Sequence, residues 1–509
     1  MHPSVIAVNS PGKPAIVMAG SGDAVNYAQL DARSNQGAQM FRRLGLERGD
    51  VIALLLDNVS EFFEIVWAAQ RAGLYYVCIS TRLIADEVGF ILGDSEAKIL
   101  IAGSELAADI ARQAIGLGVT LFTLGPSGYV AARDFFGERA AMPASPIPDE
   151  SPGNDMLYSS GTTGRPKGIK PPLPEGALAQ TNGLTEMGRK LYGMDANTVF
   201  LSPAPLYHAA PLRWCMSVQK LGGTVIIMEK FDAEQALALI EKHRVTHAQW
   251  VPTHFVLMLK LDESLRSSYD VSSLRTTFHA AAPCPVEVKQ AMMAWWGPII
   301  HEFYSGTEAN GLTSIGPQEW LERPGSVGRA VWGIPNICDQ DDNALPPREI
   351  GAIYFADGAP FHYHNDPEKT AASCNRHGWT TLGDVGWLDE DGYLYLTDRK
   401  SFMIISGGVN IYPQEVEDQL VLHPKVADVA VIGAPDPAMG EQVVAVVQPG
   451  CWSDAGPLLE AELLEWLRPR LGRHKIPRKI DFAETLPRTP TGKLLKREVR
   501  EPYWTKSPT

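Results

Sequence analysis

Hydrophobic and polar positions alternate along the first third of the chain in a way that predicts helices and strands in turn. Residues 27–44 have the spacing of an amphipathic helix, and the apolar run 51–56 that follows is typical of a buried strand. The same order repeats with a helix at 60–72 and a strand at 75–80. Helices that alternate with short buried strands indicate parallel sheets covered by helices. We therefore predict an α/β fold.

The alternation continues as far as a proline-rich connector. The pattern predicts a helix at 84–92, a strand at 98–102, a helix capped by Ser104 and a strand at 119–124. Residues 141–153 then contain four prolines, which lack the backbone N–H that regular elements need. This segment is therefore predicted to be a connector.

The last 110 or so residues have the pattern of a separate unit. A turn-rich stretch at 389–392 precedes fresh strand signals at 426–433 and 442–447. One helical face carries four large apolar residues, Leu459, Leu463, Trp466 and Leu467. We predict a large N-terminal domain of helix-covered sheets at 1–399 and a smaller C-terminal α+β domain at 400–509.

Composition and charge narrow the class of protein. The 509 residues, 45% of them hydrophobic and 20% charged, are typical of a globular protein, and a net charge of -14 argues against a nucleic-acid partner. The six cysteines are widely spaced, so we expect reduced thiols rather than disulfides or a thiolate metal site. The first 17 residues lack a signal-peptide pattern, and no apolar run is long enough to span a bilayer. We therefore expect a cytoplasmic protein without a transmembrane segment.

The segment Tyr158–Gly168, YSSGTTGRPKG, has the residue types of a phosphate-binding loop. Glycines let backbone N–H groups approach an anion, hydroxyls donate further hydrogen bonds, and a lysine offsets charge. The segment differs from the P-loop of ATPases because Pro166, rather than glycine, precedes Lys167. A polar surface loop is the alternative, but it would need no such density of glycines and hydroxyls.

Seven further stretches follow this loop in order. They are PLYH at 205–208, AAAP at 280–283, YSGTE at 304–308, TLGD at 381–384, DR at 398–399, SGG at 406–408 and PRTPTGK at 487–493. With these stretches the chain resembles the adenylate-forming superfamily of acyl-CoA synthetases, aryl-CoA ligases, luciferases and peptide-synthetase adenylation domains. One such motif would be weak, whereas seven in order are specific.

The resemblance implies a role for each motif in binding ATP, Mg²⁺ and coenzyme A. The β- and γ-phosphates of ATP would be held by Ser159, Ser160, Gly161, Thr162, Thr163, Gly164 and Lys167. Adenine would lie between two segments, Ala281 with Ala282 and Glu302 with Phe303 and Tyr304. Ribose would bind Asp384, with Arg399 steadying the ribose or a phosphate. A capping aspartate in a turn is the alternative for Asp384.

The same resemblance implies the reacting groups. Thr307 would touch the α-phosphate, Glu308 would bind Mg²⁺, and Lys493 would reach the bond that forms between carboxylate and α-phosphorus. Two anions must meet in this reaction, so a metal and cations are needed to offset their repulsion. Gly407 and Gly408 would let the pantetheine arm of coenzyme A pass close to the backbone.

Three further features have alternatives. His208 is either an aromatic gate beside the acyl pocket or a loop histidine without a catalytic task. His362 and His364 have the spacing of one strand face, but no further ligands accompany them, so a zinc site is the less favoured interpretation. The C-terminal domain is implied to be a mobile lid, and its hinge has Ser401 where relatives usually have a charged residue.

The function that follows is that of an AMP-forming carboxylate–CoA ligase. Small and aromatic residues predict an apolar cavity for a hydrophobic acid, and they are Tyr207, His208, Ala209, Ala210, Trp214, Trp250, Phe303, Asn310 and Gly311. The acid would be aryl-substituted, alicyclic or of medium to long chain. The alternatives are an acyl-AMP ligase that loads a carrier protein and a non-catalytic nucleotide-binding regulator. A homodimer is compatible with the sequence, which does not determine the oligomeric state.

Overall fold

The computed structural model describes residues 1–159, 166–399, 401–488 and 494–505. Up to residue 159 the elements are α1 (Pro3–Asn9), β1 (Pro14–Met18), β2 (Ala24–Asn26), α2 (Tyr27–Arg43), β3 (Val51–Leu55), α3 (Glu61–Arg71), β4 (Tyr75–Cys78), α4 (Ala85–Asp94), β5 (Ala97–Ala102), α5 (Ala108–Gly116), β6 (Thr120–Thr123), β7 (Arg133–Asp134), α6 (Phe135–Ala140), β8 (Asn154–Asp155) and β9 (Leu157–Ser159).

The middle of the chain carries the next group of elements. They are β10 (Lys167–Ile169), α7 (Gly183–Leu191), β11 (Val199–Ser202), α8 (Ala209–Leu221), β12 (Thr224–Ile227), α9 (Ala233–His243), β13 (His247–Trp250), α10 (Pro252–Leu259), α11 (Glu263–Ser267), β14 (Thr276–His279), α12 (Val286–Trp296), β15 (Ile300–Ser305), β16 (Leu312–Ile315), α13 (Pro317–Glu322), β17 (Ser326–Trp332), β18 (Ile334–Cys338), β19 (Gly351–Ala356), α14 (Pro367–Ala372), β20 (Asp384–Leu388) and β21 (Leu394–Arg399).

The C-terminal part adds a last group of elements. They are β22 (Ile404–Ser406), β23 (Val409–Ile411), α15 (Pro413–Val421), β24 (Val426–Asp436), β25 (Gly440–Pro449), a 3₁₀ turn (Trp452–Asp454), α16 (Pro457–Leu467), β26 (Lys479–Phe482) and α17 (Lys496–Thr505). The described residues form two compact units. Unit 1 comprises Met1–Trp250, Lys260–Phe278 and Phe361–Thr370, and unit 2 comprises Val251–Leu259, His279–Pro360 and the described residues of Ala371–Thr509.

Unit 1 is built on parallel strands. One sheet has the order β7-β6-β5-β3-β4-β8 with every pair parallel, and a second set has the order β2-β1-β12-β11-β13, in which only β2 is antiparallel. Every residue of β3 and β4 is buried, as expected for parallel strands whose two faces are both covered. Strands β9 and β10 form a separate antiparallel pair.

Unit 2 is built mainly on antiparallel strands. Its first set has the order β15-β16-β17-β21-β20-β19-β18. The C-terminal set has the order β23-β22-β25-β24, with β26 parallel to β25. Leu459, Leu463 and Leu467 of α16 pack against Val431 and Val443 of this second set. The predicted apolar face of that helix is therefore the face that forms the core.

The α/β fold class, with a smaller C-terminal α+β domain, is confirmed. The helix and strand predictions of the first third agree with the structure to within a few residues, except for the cap at Ser104. That prediction is wrong: Ser104 lies in a turn, and α5 begins at Ala108 after Ala107. The reason is that Leu106 is buried in the core, so the chain turns inward before the helix begins. The domain boundary between residues 399 and 400 stays a prediction.

Two further observations concern the whole described chain. No helix within the described ranges is both long and apolar enough to cross a membrane.

All six cysteines are free, and three of them, Cys78, Cys215 and Cys338, are buried.

Candidate active site

A hairpin in unit 1 carries the ends of the predicted phosphate loop. Strands β9 and β10 pair in antiparallel register, with Ser159 opposite Lys167 and Tyr158 opposite Gly168. The structure therefore brings Ser159 and Lys167 together. Ser160, Gly161, Thr162, Thr163 and Gly164 lie outside the described residues, and their phosphate-binding role stays a prediction.

Distant segments of unit 1 hold this hairpin in place. The Tyr158 hydroxyl donates a 2.6 Å hydrogen bond to Oδ2 of Asp94, and burial together with this carboxylate raises the pKa of Tyr158. On the other strand, the His364 N–H donates to the carbonyl of Gly168 at 2.8 Å. Lys167 Nζ lies 5.0 Å from the centroid of the Tyr363 ring. The hairpin thus has a fixed base from which a loop can bind an anion.

Of the pair His362 and His364, the second has a structural role, whereas the first is exposed. The His364 ring Nε2 lies 3.0 Å from the Asp94 carbonyl oxygen, within hydrogen-bond distance. Among the residues that the structure describes, no group of three or more His, Cys, Asp or Glu side chains has the arrangement of a metal site. His364 therefore helps to attach the 361–370 segment beside the hairpin.

The residues predicted to bind ribose form a network in unit 2. The Tyr304 hydroxyl donates to Oδ2 of Asp384 at 2.7 Å, and Arg399 Nε lies 3.1 Å from Oδ1 of the same carboxylate. Strands β20 and β21 place Asp384 opposite Arg399. Burial and the neighbouring Asp384 raise the pKa of Tyr304 far above its usual value, so its hydroxyl stays protonated and donates. Each carboxylate oxygen can accept a second hydrogen bond, which leaves Asp384 able to bind two ribose hydroxyls.

The two segments predicted to enclose adenine also belong to unit 2. Ala281 and Ala282 are exposed, and Ala281 has a φ of 76°, which is left-handed and uncommon for a residue with a side chain. Glu302, Phe303 and Tyr304 lie on β15. Strained backbone of this kind persists only where the surroundings hold it, and it is concentrated at functional sites.

Thr307 and Glu308 lie in the turn that follows β15. A Cβ atom added to Gly306 would lie 2.9 Å from Oε2 of Glu308, so the carboxylate folds back over this glycine. The charge of Glu308 also contributes to the raised pKa of Tyr304, which shows that the two side chains are neighbours. Magnesium in nucleotide sites usually binds one or two carboxylates together with substrate phosphates. A single carboxylate at Glu308 fits that pattern.

Two of the residues predicted to line the acyl pocket, His208 and Trp214, occupy different environments in unit 1. His208 immediately precedes α8, and burial lowers its pKa to about 4, so the ring is neutral at neutral pH. Its ring centroid lies 4.8 Å from that of Tyr207. Trp214 is fully buried and packs on Tyr192 and Phe278, so its ring belongs to the core.

Asn310 and Gly311 form a tightly packed bend in unit 2. The Asn310 amide donates to the carbonyl and the hydroxyl of Thr380, at 3.3 and 3.1 Å. A Cβ atom on Gly311 would lie 2.1 Å from the ring of Phe355, so only glycine fits there. The bend is therefore fixed in shape by its neighbours.

The predicted hinge and coenzyme A residues lie at the start of the C-terminal part. Asp398 accepts hydrogen bonds from the backbone N–H groups of Arg399 and Gln414, at 2.6 and 3.1 Å, and Gln414 lies in the first turn of α15. Gly407 and Gly408 both have left-handed φ angles, 56° and 80°. A Cβ atom on Gly407 would lie 2.4 Å from Cε of Met439, whereas one on Gly408 would meet open space. Lys493 lies outside the described residues.

Sequence reasoning missed a buried charge cluster beside the adenine segments. Lys289 Nζ lies 2.7 Å from Oε2 of Glu302, and His279 Nε2 lies 3.3 Å from the same oxygen. No motif contains Lys289, and it lies thirteen positions before Glu302, so no sequence signal points to the pair. Glu302 also lines a cavity of about 300 Å³, whose other walls include Pro283, Val286, Val327 and Leu396.

The arrangement defines a nucleotide-binding α/β enzyme, and comparisons with known proteins identify the family. The model of the AMP-binding enzyme family matches residues 5–360, and that of the AMP-binding enzyme C-terminal domain matches residues 415–493. The chain is 32% identical to long-chain-fatty-acid–CoA ligase FadD13 of Mycobacterium tuberculosis, covering 98% of this chain and 97% of that protein. It is 35% identical to feruloyl-CoA synthase of an Amycolatopsis species, with 95% and 94% covered.

A solved structure agrees with these sequence matches. ATP-bound MatB from Rhodopseudomonas palustris has a TM-score of 0.82 and 29% identity, with 99% of each chain covered. The chain therefore belongs to the AMP-binding enzyme family, the adenylate-forming superfamily that its motifs resemble. It is an AMP-forming acid–thiol ligase that uses ATP, Mg²⁺ and coenzyme A.

Proposed function

We propose that this ligase activates a hydrophobic carboxylic acid, aryl-substituted, alicyclic or of medium to long chain. The observation that carries the proposal is the absence of charge among eight of the residues predicted to line the acyl pocket, Trp214 being set aside because its ring belongs to the core. None of them is Lys, Arg, Asp or Glu, and burial keeps His208 neutral at neutral pH. A second carboxylate or an amino group on the acid would therefore have no partner, and burying it would be costly. The fatty-acid and feruloyl ligases among its relatives support this substrate class.

In the first half-reaction, the carboxylate of the acid attacks the α-phosphorus of ATP, and pyrophosphate leaves. We assign the nucleoside to the Tyr304–Asp384–Arg399 network, because two protein donors orient the Asp384 carboxylate. Ser159, Lys167 and the loop between them would hold the β- and γ-phosphates, and Thr307 would contact the α-phosphate. Glu308 would hold Mg²⁺, which offsets negative charge on the phosphate oxygens.

In the second half-reaction, the thiol of coenzyme A attacks the acyl carbonyl and AMP leaves. Lys493 is assigned to the first step, and Gly407 and Gly408 to the second. Open space at the Cβ position of Gly408 supports passage of a thin pantetheine arm along this backbone. Rotation of the C-terminal part about Ser401 would exchange the two sets of residues.

The experiment is a panel of acids assayed by pyrophosphate release and by consumption of free coenzyme A. Cinnamate-type, phenylacetate-type and C8–C16 fatty acids should be used far better than acetate, dicarboxylates or amino acids. Preference for acetate or for a charged acid would contradict the proposed substrate class. Pyrophosphate release without consumption of coenzyme A, together with acylation of a phosphopantetheinyl carrier, would instead identify a carrier-loading ligase.

A cytoplasmic location completes the proposal, with which a homodimer is compatible. The six free cysteines support a reducing compartment. Cell fractionation tests the location, and analytical ultracentrifugation of the purified protein tests the oligomeric state.

A further inference from the structure

Three side chains of unit 2 form a buried cluster of ionisable groups, of which only Glu302 has a role implied by the resemblance. They are His279 at the end of β14, Lys289 on α12 and Glu302 on β15. The side chains of His279 and Lys289 are fully buried and that of Glu302 is 8% exposed. Lys289 Nζ also lies 4.7 Å from the centroid of the Trp320 ring.

The charges in this cluster balance one another. Burial alone would raise the pKa of Glu302, but the neighbouring His279 and Lys289 outweigh it and hold that pKa below its usual value. Burial lowers the pKa of His279, so its ring is neutral at neutral pH. The cluster is therefore a Lys289–Glu302 ion pair with a neutral imidazole beside it. Removing one partner of such a buried pair is strongly destabilising, because the remaining charge stays buried without a partner.

The cluster joins the two segments that are assigned to adenine. His279 is two residues before Ala281, whose left-handed backbone needs support from its surroundings. Glu302 is two residues before Tyr304, which orients Asp384. The contacts of Glu302 with His279 and Lys289 therefore connect the base of one segment to the base of the other.

We propose that Lys289 is a positioning residue for nucleotide binding, which holds Glu302 through its ion pair and so fixes the start of the segment that carries Tyr304. Lys289 does not contact ATP in this role. It acts through Glu302, and its removal changes the placement of Tyr304, whose hydroxyl orients Asp384. The inference rests on the proposed nucleotide site, and it adds a residue that lies outside all of the motifs.

The test is the Lys289→Met variant, which removes the charge and keeps most of the side-chain volume. Its KM for ATP should rise about tenfold, as is usual when a supporting partner behind a binding group is removed. The KM for the acid and the kcat at saturating ATP should stay within about twofold. Lys289→Arg restores the charge, and its KM for ATP should return most of the way to the wild-type value.

Arg71→Met is the matched control. The Arg71 side chain is also fully buried and paired, with Asp31 and Glu150, but it belongs to unit 1 and contacts none of the residues assigned to ATP. Arg71→Met should lower the melting temperature without changing the KM for ATP. A KM change of the same size in both variants would mean that general destabilisation causes it, and would overturn the inference.

A double variant keeps the test decisive if Lys289→Met does not fold. Lys289→Met with Glu302→Gln removes both charges, so no uncompensated charge remains buried. The KM of the double variant for ATP should lie between the values of the wild type and of Lys289→Met. If Lys289→Met is insoluble, the KM of the double variant should be several-fold higher than that of the wild type. A wild-type KM for ATP in whichever of these variants folds overturns the inference. Lack of ATP-dependent pyrophosphate release by the wild-type protein would instead overturn the proposed function.

Discussion

The hydroxyl of Tyr304 donates a 2.7 Å hydrogen bond to Asp384, a residue 80 positions further along the chain. Arg399 contacts the other oxygen of the same carboxylate. The carboxylate is thus held on both sides by protein donors, and each of its oxygens can accept one further hydroxyl hydrogen bond. This network is the most complete part of the candidate site within the described residues.

The network predicts that Asp384→Ala weakens ATP binding specifically. Loss of a charged acceptor for two hydroxyls should raise the KM for ATP about 10–100-fold, since hydrogen bonds to charged groups contribute about 1.5–3 kcal/mol. Tyr304→Phe, which removes only the orienting hydroxyl, should raise it about fivefold. Steady-state kinetics with both substrates measures this. An unchanged dependence on ATP would mean that Asp384 only caps a turn.

Glu308→Gln should reduce pyrophosphate release by about 10²–10³, because it removes the carboxylate assigned to Mg²⁺ and leaves phosphate charge less compensated. Glutamine has nearly the same shape, so the packing over Gly306 should survive and the melting temperature should not change. The assay is repeated across a Mg²⁺ titration. Near-normal activity at saturating Mg²⁺ would refute the assignment.

Lys493→Ala should slow the first half-reaction and spare the second. Removing one preorganised charge-stabilising donor typically costs about 10²–10³ in rate. Adenylation is followed by pyrophosphate release, and thioester formation by mixing the enzyme with supplied acyl-adenylate and coenzyme A. Equal losses in both half-reactions would contradict a division of labour between lid positions.

Gly408→Trp should have the opposite effect, because an indole would obstruct the thiol path while leaving adenylation intact. Part of any loss could come from the left-handed backbone, where φ is 80°. Gly408→Asn is the matched control, since asparagine tolerates this conformation and is much smaller. Thioester formation should fall strongly in the tryptophan variant and only slightly in the asparagine variant. Similar losses in both would assign the effect to strain.

The free energy of unfolding should depend on pH through His254. Burial lowers the pKa of this ring to about 3, whereas in the unfolded chain it is about 6.5. The unfolded state therefore binds more protons between these values, and stability falls as the pH drops below 6.5. When the pH is lowered from 7.5 to 5.5, the free energy of unfolding of His254→Gln should fall by about 1 kcal/mol less than that of the wild type. Urea titrations at the two pH values measure this.

Comparison of the wild type with His254→Gln separates the effect of His254 on stability from the effects of other groups whose pKa is shifted in the folded state. Burial raises the pKa of Asp418 to about 7, so its proton binds more tightly in the folded state and its contribution to stability is lost as the pH rises through 7. Asp418 is present in both proteins, and its effect cancels in the difference. Parallel pH profiles for the two proteins would contradict the role of His254.

Sequence patterns predicted the helices and strands because each element is formed by residues that are consecutive in the chain. Strands β3 and β4 are buried on both faces and so appear in the sequence as continuous apolar runs. The prediction that Ser104 caps α5 was wrong, because a tertiary contact decides where that helix begins. This contact is the burial of Leu106 in the core.

The site was only partly predictable for the same reason. Motifs point to Asp384, Arg399 and Glu308 because the chemistry restricts the residue types at these positions. The motifs do not show which other side chains hold these three residues in place. Lys289 resembles any other lysine of an amphipathic helix until the fold brings it to Glu302, and Asp94 is equally inconspicuous until the fold brings it to Tyr158.

The attachment of the 361–370 segment beside the phosphate-loop hairpin affects how the chain folds during synthesis. Ile169 forms a bridge with Tyr363, so the hairpin leaves the ribosome well before the segment that supports it. At about 5–20 residues per second, the roughly 190 intervening residues take about 10–40 seconds to make. During that interval the edge of β10 lacks its neighbour, and an exposed strand edge can pair with another chain. The hairpin of newly made unit 1 therefore keeps an unpaired edge until residues 361–370 have left the ribosome.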